Sequence, residues 1–348
     1  MNDADIGPPP TDAVSPKDAV PPPDPEALGA TPAGTPLSTR VGRIVGRGGI
    51  LIPFVILVVL LIVISPSFLR IQNFSNILDQ QAGIIIVACA GTLVLIAGGI
   101  DLSIGAVYAL AGATALIVAT ATSTPVGIAA GLAVGLAVGL VNGLVVSRFK
   151  INALIGTLAM SFVVSGIAAI VTQGNLVVAF DHPDFQQFAG TDIGPFTSAG
   201  VMMIVIAIVA TIVLSRTAYG RYVYASGGNA QAARLGGVRV NLIVVSTFAL
   251  SGAAAALAGI IDSSRVLSAQ ATGGQFLTFT VLTGIIVGGT SILGGEGSMQ
   301  RTVIGCLFVA LIGNGFNLLG VDPFYQQVTL GVILLLAVGV DAWSRRLD

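Results

Sequence analysis

Ten apolar stretches alternate with short polar connections between Ile50 and Trp343. They run Ile50 to Ile64, Gly83 to Gly99, Leu102 to Ala121, Val126 to Val146 and Ile151 to Val171. They continue Ala199 to Leu214, Val240 to Ile261, Phe276 to Leu293, Val303 to Leu319 and Tyr325 to Trp343. Crossing a bilayer straight takes about 20 apolar residues in a helix. The pattern therefore predicts an all-α polytopic membrane protein with about ten transmembrane helices. Several stretches are shorter than a full crossing. A broken or re-entrant helix is tolerated only where protein or a watery cavity covers its backbone. The second and eighth stretches, which run into Gly98-Gly99 and Gly288-Gly289, are the best candidates.

Charge fixes an orientation for this thread. With the N-terminus inside, thirteen of the fifteen Lys and Arg residues fall on the inner side. They are Lys17, Arg40, Arg43, Arg47, Arg148, Lys150, Arg216, Arg221, Arg234, Arg239, Arg301, Arg345 and Arg346, against Arg70 and Arg265 outside. Basic residues flanking short loops stay cytoplasmic, so the asymmetry supports the segment count, cytoplasmic N and C termini, and a multi-pass inner (plasma) membrane protein. A single missed span would move every later loop to the wrong face.

Composition agrees and excludes other classes. The chain is 54% hydrophobic and 9% charged, with mean hydropathy +0.95. Soluble domains carry about 25% charged residues. Residues 1 to 39 are rich in Pro, Ala, Asp and Thr and hold no aromatic residue, which predicts a disordered cytoplasmic tail. Residues 40 to 348 form the membrane domain, and the first apolar stretch reads as an anchor rather than a cleavable signal. Cys89 and Cys306 lie in apolar stretches and are expected to pack as small residues. His182 is the single histidine, so neither a histidine metal cluster nor a catalytic triad can be assembled. Neither Lys17 nor Lys150 follows a glycine, so the phosphate-binding loop of an ATPase is missing. No cofactor and no metal are expected, and any ATP hydrolysis belongs to a separate chain.

The fourth stretch places Gly127, Gly131, Gly135, Gly139 and Gly143 on one helix face. In lipid, small residues drive helix pairing by letting backbones approach closely. The spacing predicts a packing seam, against either a neighbouring helix or a second protomer.

The longest inner connection runs from Arg216 to Arg239. Asn229 is a good N-cap, Ala230, Gln231, Ala232, Ala233, Arg234 and Leu235 favour a helix, and Gly236 and Gly237 supply a stop, with Gly236 expected in the left-handed conformation. An isolated helix of two turns is marginal in water, so it must pack on something. Either it lies on its own membrane domain or it docks a cytoplasmic partner, with Ala230, Ala232 and Ala233 small enough to approach a groove.

Here the sequence resembles the permease subunit of ribose/galactose-type ATP-binding-cassette (ABC) importers. Thr217-Ala218-Tyr219-Gly220-Arg221, Gly227-Gly228-Asn229 and Ala232-Ala233-Arg234-Leu235 match that family's loop. Gly98-Gly99-Ile100-Asp101-Leu102-Ser103, Gly288-Gly289-Thr290-Ser291 and Asn314 to Val321 with Tyr325-Gln326-Gln327 match three further segments in the same order. One departure is visible. Where the family commonly carries an acidic Glu-Leu-Asp, this chain has Gln275-Phe276-Leu277-Thr278. The resemblance implies an importer subunit for a monosaccharide or related polyol or nucleoside, working by alternating access. It also implies two copies around the path, two cytoplasmic ABC ATPase chains docked on the helix Asn229 to Gly236, and a periplasmic or lipid-anchored solute-binding protein.

Two further groups stand out. Asp101, with Ser103, either caps the third span or acts as a gate, because carboxylates near the bilayer core mark polar paths or helix ends. Asn142, Asn314 and Asn317 lie inside spans, where amides bond neighbouring helices or line a route. Asn314 and Asn317 share a helix face and are candidate path-lining groups for a hydroxylated solute. The rival readings are a secondary active transporter, which needs an ionisable coupling group near Asp101, Asp262 or Arg265, and an intramembrane enzyme.

Overall fold

A computed structural model describes residues 50–344. The expected tail at 1–39, the arginines at 40, 43 and 47, and Arg345 and Arg346 lie outside the described residues. Thirteen α-helices occur among those described. They are α1 Leu51–Ile64, α2 Ile71–Ile96, α3 Ile104–Ala121, α4 Thr124–Arg148, α5 Ala153–Thr172, α6 Pro183–Gly190 and α7 Ser198–Arg216. The remainder are α8 Ala218–Gly228, α9 Ala230–Leu235, α10 Val240–Val266, α11 Leu277–Val287, α12 Met299–Leu318 and α13 Pro323–Ser344. Strand structure among the described residues is limited to two antiparallel pairs of two residues each, Val177–Val178 with Ser268–Ala269 and Asp192–Ile193 with Phe196–Thr197. The protein is all-α and polytopic.

All ten predicted stretches fall on helices. Seven of these, α2, α3, α4, α5, α7, α10 and α12, are long and apolar enough to cross a membrane. The apolar parts of α1, α11 and α13 are shorter. Side chains divide the helices into layers. Most of α2, α3 and α10 is buried, whereas α5 and α7 expose most of theirs. The three buried helices form the core and the others ring it.

The second stretch is the latter part of a longer helix. Helix α2 starts twelve residues early, at Ile71, and its 26 residues reach about 39 Å at 1.5 Å per residue. Its polar first half, with Gln72, Asn73, Asn76, Asp79, Gln80 and Gln81, hides the helix from a hydropathy reading. Two of those groups, Asn73 and Asp79, are bonded across the fold. Asp79 Oδ1 accepts from Thr197 Oγ1 at 2.7 Å and Thr197 N–H at 3.3 Å. The eighth stretch, by contrast, is interrupted. Helix α11 has 11 residues, about 16 Å, roughly half a crossing.

The glycine seam faces inward within the chain. All five glycines of α4 are buried. A Cβ on Gly131 would sit 2.8 Å from Ala111 O of α3, and one on Gly143 would sit 2.7 Å from Val245 Cα of α10. The seam thus packs α4 against α3 near one end and α10 near the other. Cys89 and Cys306 are buried and free, and they help fill the core between α2 and α12.

Candidate functional site

Depth decides what the turn between α2 and α3 can do. Asp101 Oδ2 accepts from Ser251 Oγ at 2.8 Å, and Ser251 lies eleven residues into α10. At 1.5 Å per residue the turn therefore sits about 16 Å inside the start of that helix, not at its edge. Asp101 Oδ1 accepts from Ser103 N–H at 3.0 Å and Ser103 Oγ at 2.6 Å. Ser103 Oγ in turn accepts from Asn142 Nδ2 at 2.8 Å. Asp101 is 2% exposed, and Ser103, Asn142 and Ser251 are equally buried. Three donors satisfy the oxygens of this buried carboxyl group. The network clamps the start of α3 to α4 and α10. Asn142 is consumed by it and lies apart from Asn314 and Asn317.

A second locus lies at the connection from α7 to α10. Sequence reading finds one helix there, and the structure has two. Helix α8 begins on a capping Thr217, whose Oγ1 accepts from Gly220 N–H, and α9 on Asn229, whose Oδ1 accepts from Ala232 N–H at 2.9 Å. The stop of α9 differs from expectation. Gly236 has φ −76°, ordinary for any residue, and Gly237 takes the left-handed conformation at φ +83°. Gly237 N–H reaches Arg234 O and Val238 N–H reaches Ala233 O, each at 3.0 Å, the paired bonds of a Schellman stop. Ala233 is also not free for a partner. It is buried against the chain's own fold, while Gln231, Ala232, Arg234 and Leu235 face out, Leu235 at 87% exposure. A bulky residue at 233 would disturb α9 itself, so Leu235 marks the outward face.

Helix α8 ties α9 to the core. Tyr219 Oη pairs with Ser246 Oγ of α10 at 2.8 Å, and Tyr224 Oη donates to Gly297 O at 2.9 Å. Burial pushes both phenols above their usual range, opposed by the Ser246 hydrogen bond at Tyr219 and by Arg301 at Tyr224, so both stay protonated. At the end of α8, Gly227 packs on the main chain. A Cβ there would lie 2.8 Å from Gly295 N, and Gly295 N–H donates to Ile96 O at 2.8 Å. Side chains of any size are excluded from this joint at 227, 294 and 295, whereas Gly98 is required by its left-handed backbone at φ +85°.

A third locus is a cleft of about 180 Å³ between α2, α11, α12 and α13. It brings Asn314 and Asn317 together with Gln80, Gln81, Thr280 and Gln326. Asn314 exchanges hydrogen bonds with Asn73 at 2.8 and 3.3 Å, and Asn317 Oδ1 accepts from Gln326 Nε2 at 3.0 Å. Its polar lining is amides and one hydroxyl, without a charge. Such groups can both donate to and accept from a hydroxylated solute. The glutamines were missed because the polar start of α2 reads as a loop. Their spacing from Ile77 and Ile84 on one helix face was the available signal. Elsewhere, Tyr108 Oη donates to Asp262 Oδ2 at 2.5 Å beside a separate cleft of about 200 Å³. Among the described residues no three His, Cys, Asp or Glu side chains gather as a metal site.

Comparison with known proteins decides the class. A family model described as a branched-chain amino acid transport system permease component matches residues 73–338. The chain belongs to this permease family. It is therefore a transport component rather than an enzyme. The ribose import permease RbsC of Escherichia coli K12 is 39% identical over 296 residues, covering 84% of this chain and 92% of that protein. The L-arabinose permease AraH of E. coli K12 is 35% identical, covering 90% of this chain and 96% of its own length. The fructose import permease FrcC of Rhizobium meliloti is 33% identical, covering 85% and 86%. No solved structure matches the chain. The resemblance read from the spaced motifs is thereby upheld.

Proposed function

We propose that this permease is the membrane subunit of a bacterial ABC importer that moves a monosaccharide or related polyhydroxylated solute inward by alternating access. Two copies surround the path in the inner membrane, each with ten spans and cytoplasmic termini. A solute-binding protein delivers cargo from outside, and separate ATPase chains drive the cycle. The similarity to ribose, arabinose and fructose permeases supports the solute class. The amide cleft at Asn314 and Asn317 supplies matching chemistry. Asp101 with Ser103 serves as an anchor for the turn before α3 rather than as a helix cap or a gate: Asp101 holds Ser103 and Ser251, and the Ser103 side chain makes no cap bond. Residues 1 to 39 form a tail that transport does not need, and uptake by a chain lacking them tests this.

The observation that carries the coupling assignment is α9. It is capped at both ends, buried at Ala233, and shows a leucine to solvent. A lone exposed leucine is ordinary on a protein surface, so it is the defined, capped helix together with the importer family that makes Leu235 the contact to test. Leu235→Asp should insert normally, lose co-purification with the ATPase, and lose uptake. Unchanged co-purification and uptake would show that α9 is not the docking element.

The secondary-transporter reading rests on Asp262, which has Tyr108 as its hydrogen-bonding partner near a cleft. Purified chain in liposomes, without an ATPase, should not accumulate solute in a proton or sodium gradient. Accumulation there would favour that reading.

A further inference from the structure

Helix α3 crosses α10 with main chain against main chain. A Cβ on Gly112 of α3 would lie 2.7 Å from Gly259 O of α10, and Gly259 in turn rests on Tyr108 O. Beside this crossing lies the cleft of about 200 Å³. One water needs only about 15 Å³ of such space, so the cleft has room for something larger. One wall is built by the chain just past α10. Leu267 takes the left-handed conformation at φ +49°, rare for a side chain with a Cβ, and this turns Ser268–Ala269 back to pair with Val177–Val178. Gly273, on the next turn, keeps the rim clear, since even a Cβ there would stand 3.8 Å from Tyr108 Cε1.

Tyr108 and Asp262 line this cleft, both half-buried. Asp262 is four residues from the end of α10 at Val266, about 6 Å along the helix, and so lies within an apolar span. A carboxylate in such a place is costly and marks a partner or a task. Asp101 has its partners, because both of its oxygens accept from the chain's own donors. Asp262 differs. Its Oδ2 accepts from Tyr108 Oη, whereas its Oδ1 has no donor among the described residues. Arg265, three residues on, is within electrostatic reach of Asp262 but sends Nη1 to Asp79 O at 2.7 Å. The guanidinium thus balances the carboxylate's charge and leaves Oδ1 for a ligand.

This arrangement selects a ligand class. A cation would be opposed by Arg265 and an anion by Asp262. A neutral solute with adjacent hydroxyls meets neither conflict. Two hydroxyls can donate to one carboxylate in charge-assisted bonds, while the Tyr108 ring offers an apolar side. We propose that the cleft at Tyr108 and Asp262 is a second recognition site for a hydroxylated solute, in which the Asp262 carboxylate binds two neighbouring hydroxyls and Tyr108 positions that carboxylate. The site differs in kind from the amide cleft at Asn314 and Asn317. Amides can donate or accept and so tolerate many hydroxyl patterns, whereas a carboxylate accepts only and demands two donors. The inference rests on the importer reading above and adds a selective step to it.

The test measures binding to the full chain in membranes, independently of uptake. Cys89 and Cys306 are buried, so the wild type is the blank for thiol reagents. Gln270, exposed and lining the cleft, becomes the reporter as Gln270→Cys, labelled with a charged, water-soluble methanethiosulfonate. The probes are D-ribose, L-arabinose and D-fructose, each beside its monodeoxy analogues. At least one sugar should slow labelling, and the analogue lacking one of the paired hydroxyls should need about tenfold more for equal protection. Adding Asp262→Asn, which keeps an acceptor for Tyr108 Oη, should raise the half-protecting concentration about tenfold and erase the preference over the deoxy analogue, at a normal yield of folded protein. Tyr108→Phe should raise that concentration but retain the preference. Protection and preference both unchanged in Asp262→Asn would leave the residue as a tie between α3 and α10 and overturn the inference. So would protection that falls only in proportion to folded protein. If no sugar protects, uptake by the permease with its ATPase and binding protein separates the causes. Uptake of any of the three sugars then means that this site alone fails. Uptake of none means that the monosaccharide reading fails and takes the inference with it.

Discussion

Replacing Asp101 measures how much the buried network is worth and what the carboxylate is for. Asp101→Ala strands three donors, namely Ser103 N–H, Ser103 Oγ and Ser251 Oγ, which now bond at 3.0, 2.6 and 2.8 Å. A buried polar group left without a partner costs about 1 to 3 kcal/mol. Hydroxyls in helices can turn back to their own carbonyls, so two of the three groups relax in part. Net destabilisation of about 3 to 5 kcal/mol follows, at the upper end for a single substitution. Asp101→Asn is milder. Its carbonyl oxygen keeps both Ser103 bonds, and its amide meets Ser251 Oγ, which can accept instead of donate. The expected cost is about 1 to 2 kcal/mol, close to that of Ser251→Ala. Thermal unfolding of the purified protein in detergent ranks the three variants, with solute uptake measured alongside. If the carboxylate is a structural clamp, Asn retains uptake in proportion to folded protein, while Ala loses both. Asn at full stability with no uptake would show that the charge itself works in the cycle. Ala at wild-type stability would refute the network account outright.

Two further outcomes follow from main-chain geometry. Gly237→Val should weaken the stop of α9 by about 1 to 2 kcal/mol, since a side chain at φ +83° is strained, and reduce ATPase co-purification; Gly236→Ala, at φ −76°, should leave it unchanged in the same pull-down. Gly143→Ala should lower the yield of folded protein by gel filtration, at a cost of about 1 to 3 kcal/mol, because its Cβ would meet the backbone of Val245, whereas Gly166→Ala has open space and should be silent.

Most of the architecture was legible because lipid leaves little choice. Apolar runs must become helices, and the alternation of basic loops sets their direction. The short α9 was legible too, since Asn229 and the following glycines are local signals. What failed was depth and facing. The amide-rich start of α2 reads as loop because its stability comes from Asp79 with Thr197 and Asn73 with Asn314, partners far away in the chain. The burial of Ala233 depends on α8, whose Tyr224 bond to Gly297 spans 73 residues. Asn142 and Asn314 look alike in sequence and are separated only by the helices that surround them. The choice of Gly236 over Gly237 as the left-handed stop was a one-residue error in where the helix ends, the least determined quantity in any such pattern.

The joint where Gly295 N–H meets Ile96 O, with Gly227 pressed on the same spot, has a mechanical meaning. Side-chain contacts carry play, because a rotamer can swing before its neighbour moves. Main chain resting on main chain has no such torsion to take up slack. A push delivered to α8 therefore reaches the end of α2, and through the following turn the base of α3, with almost no backlash. The same closeness makes the joint intolerant: even a methyl group would act as grit between the gear teeth.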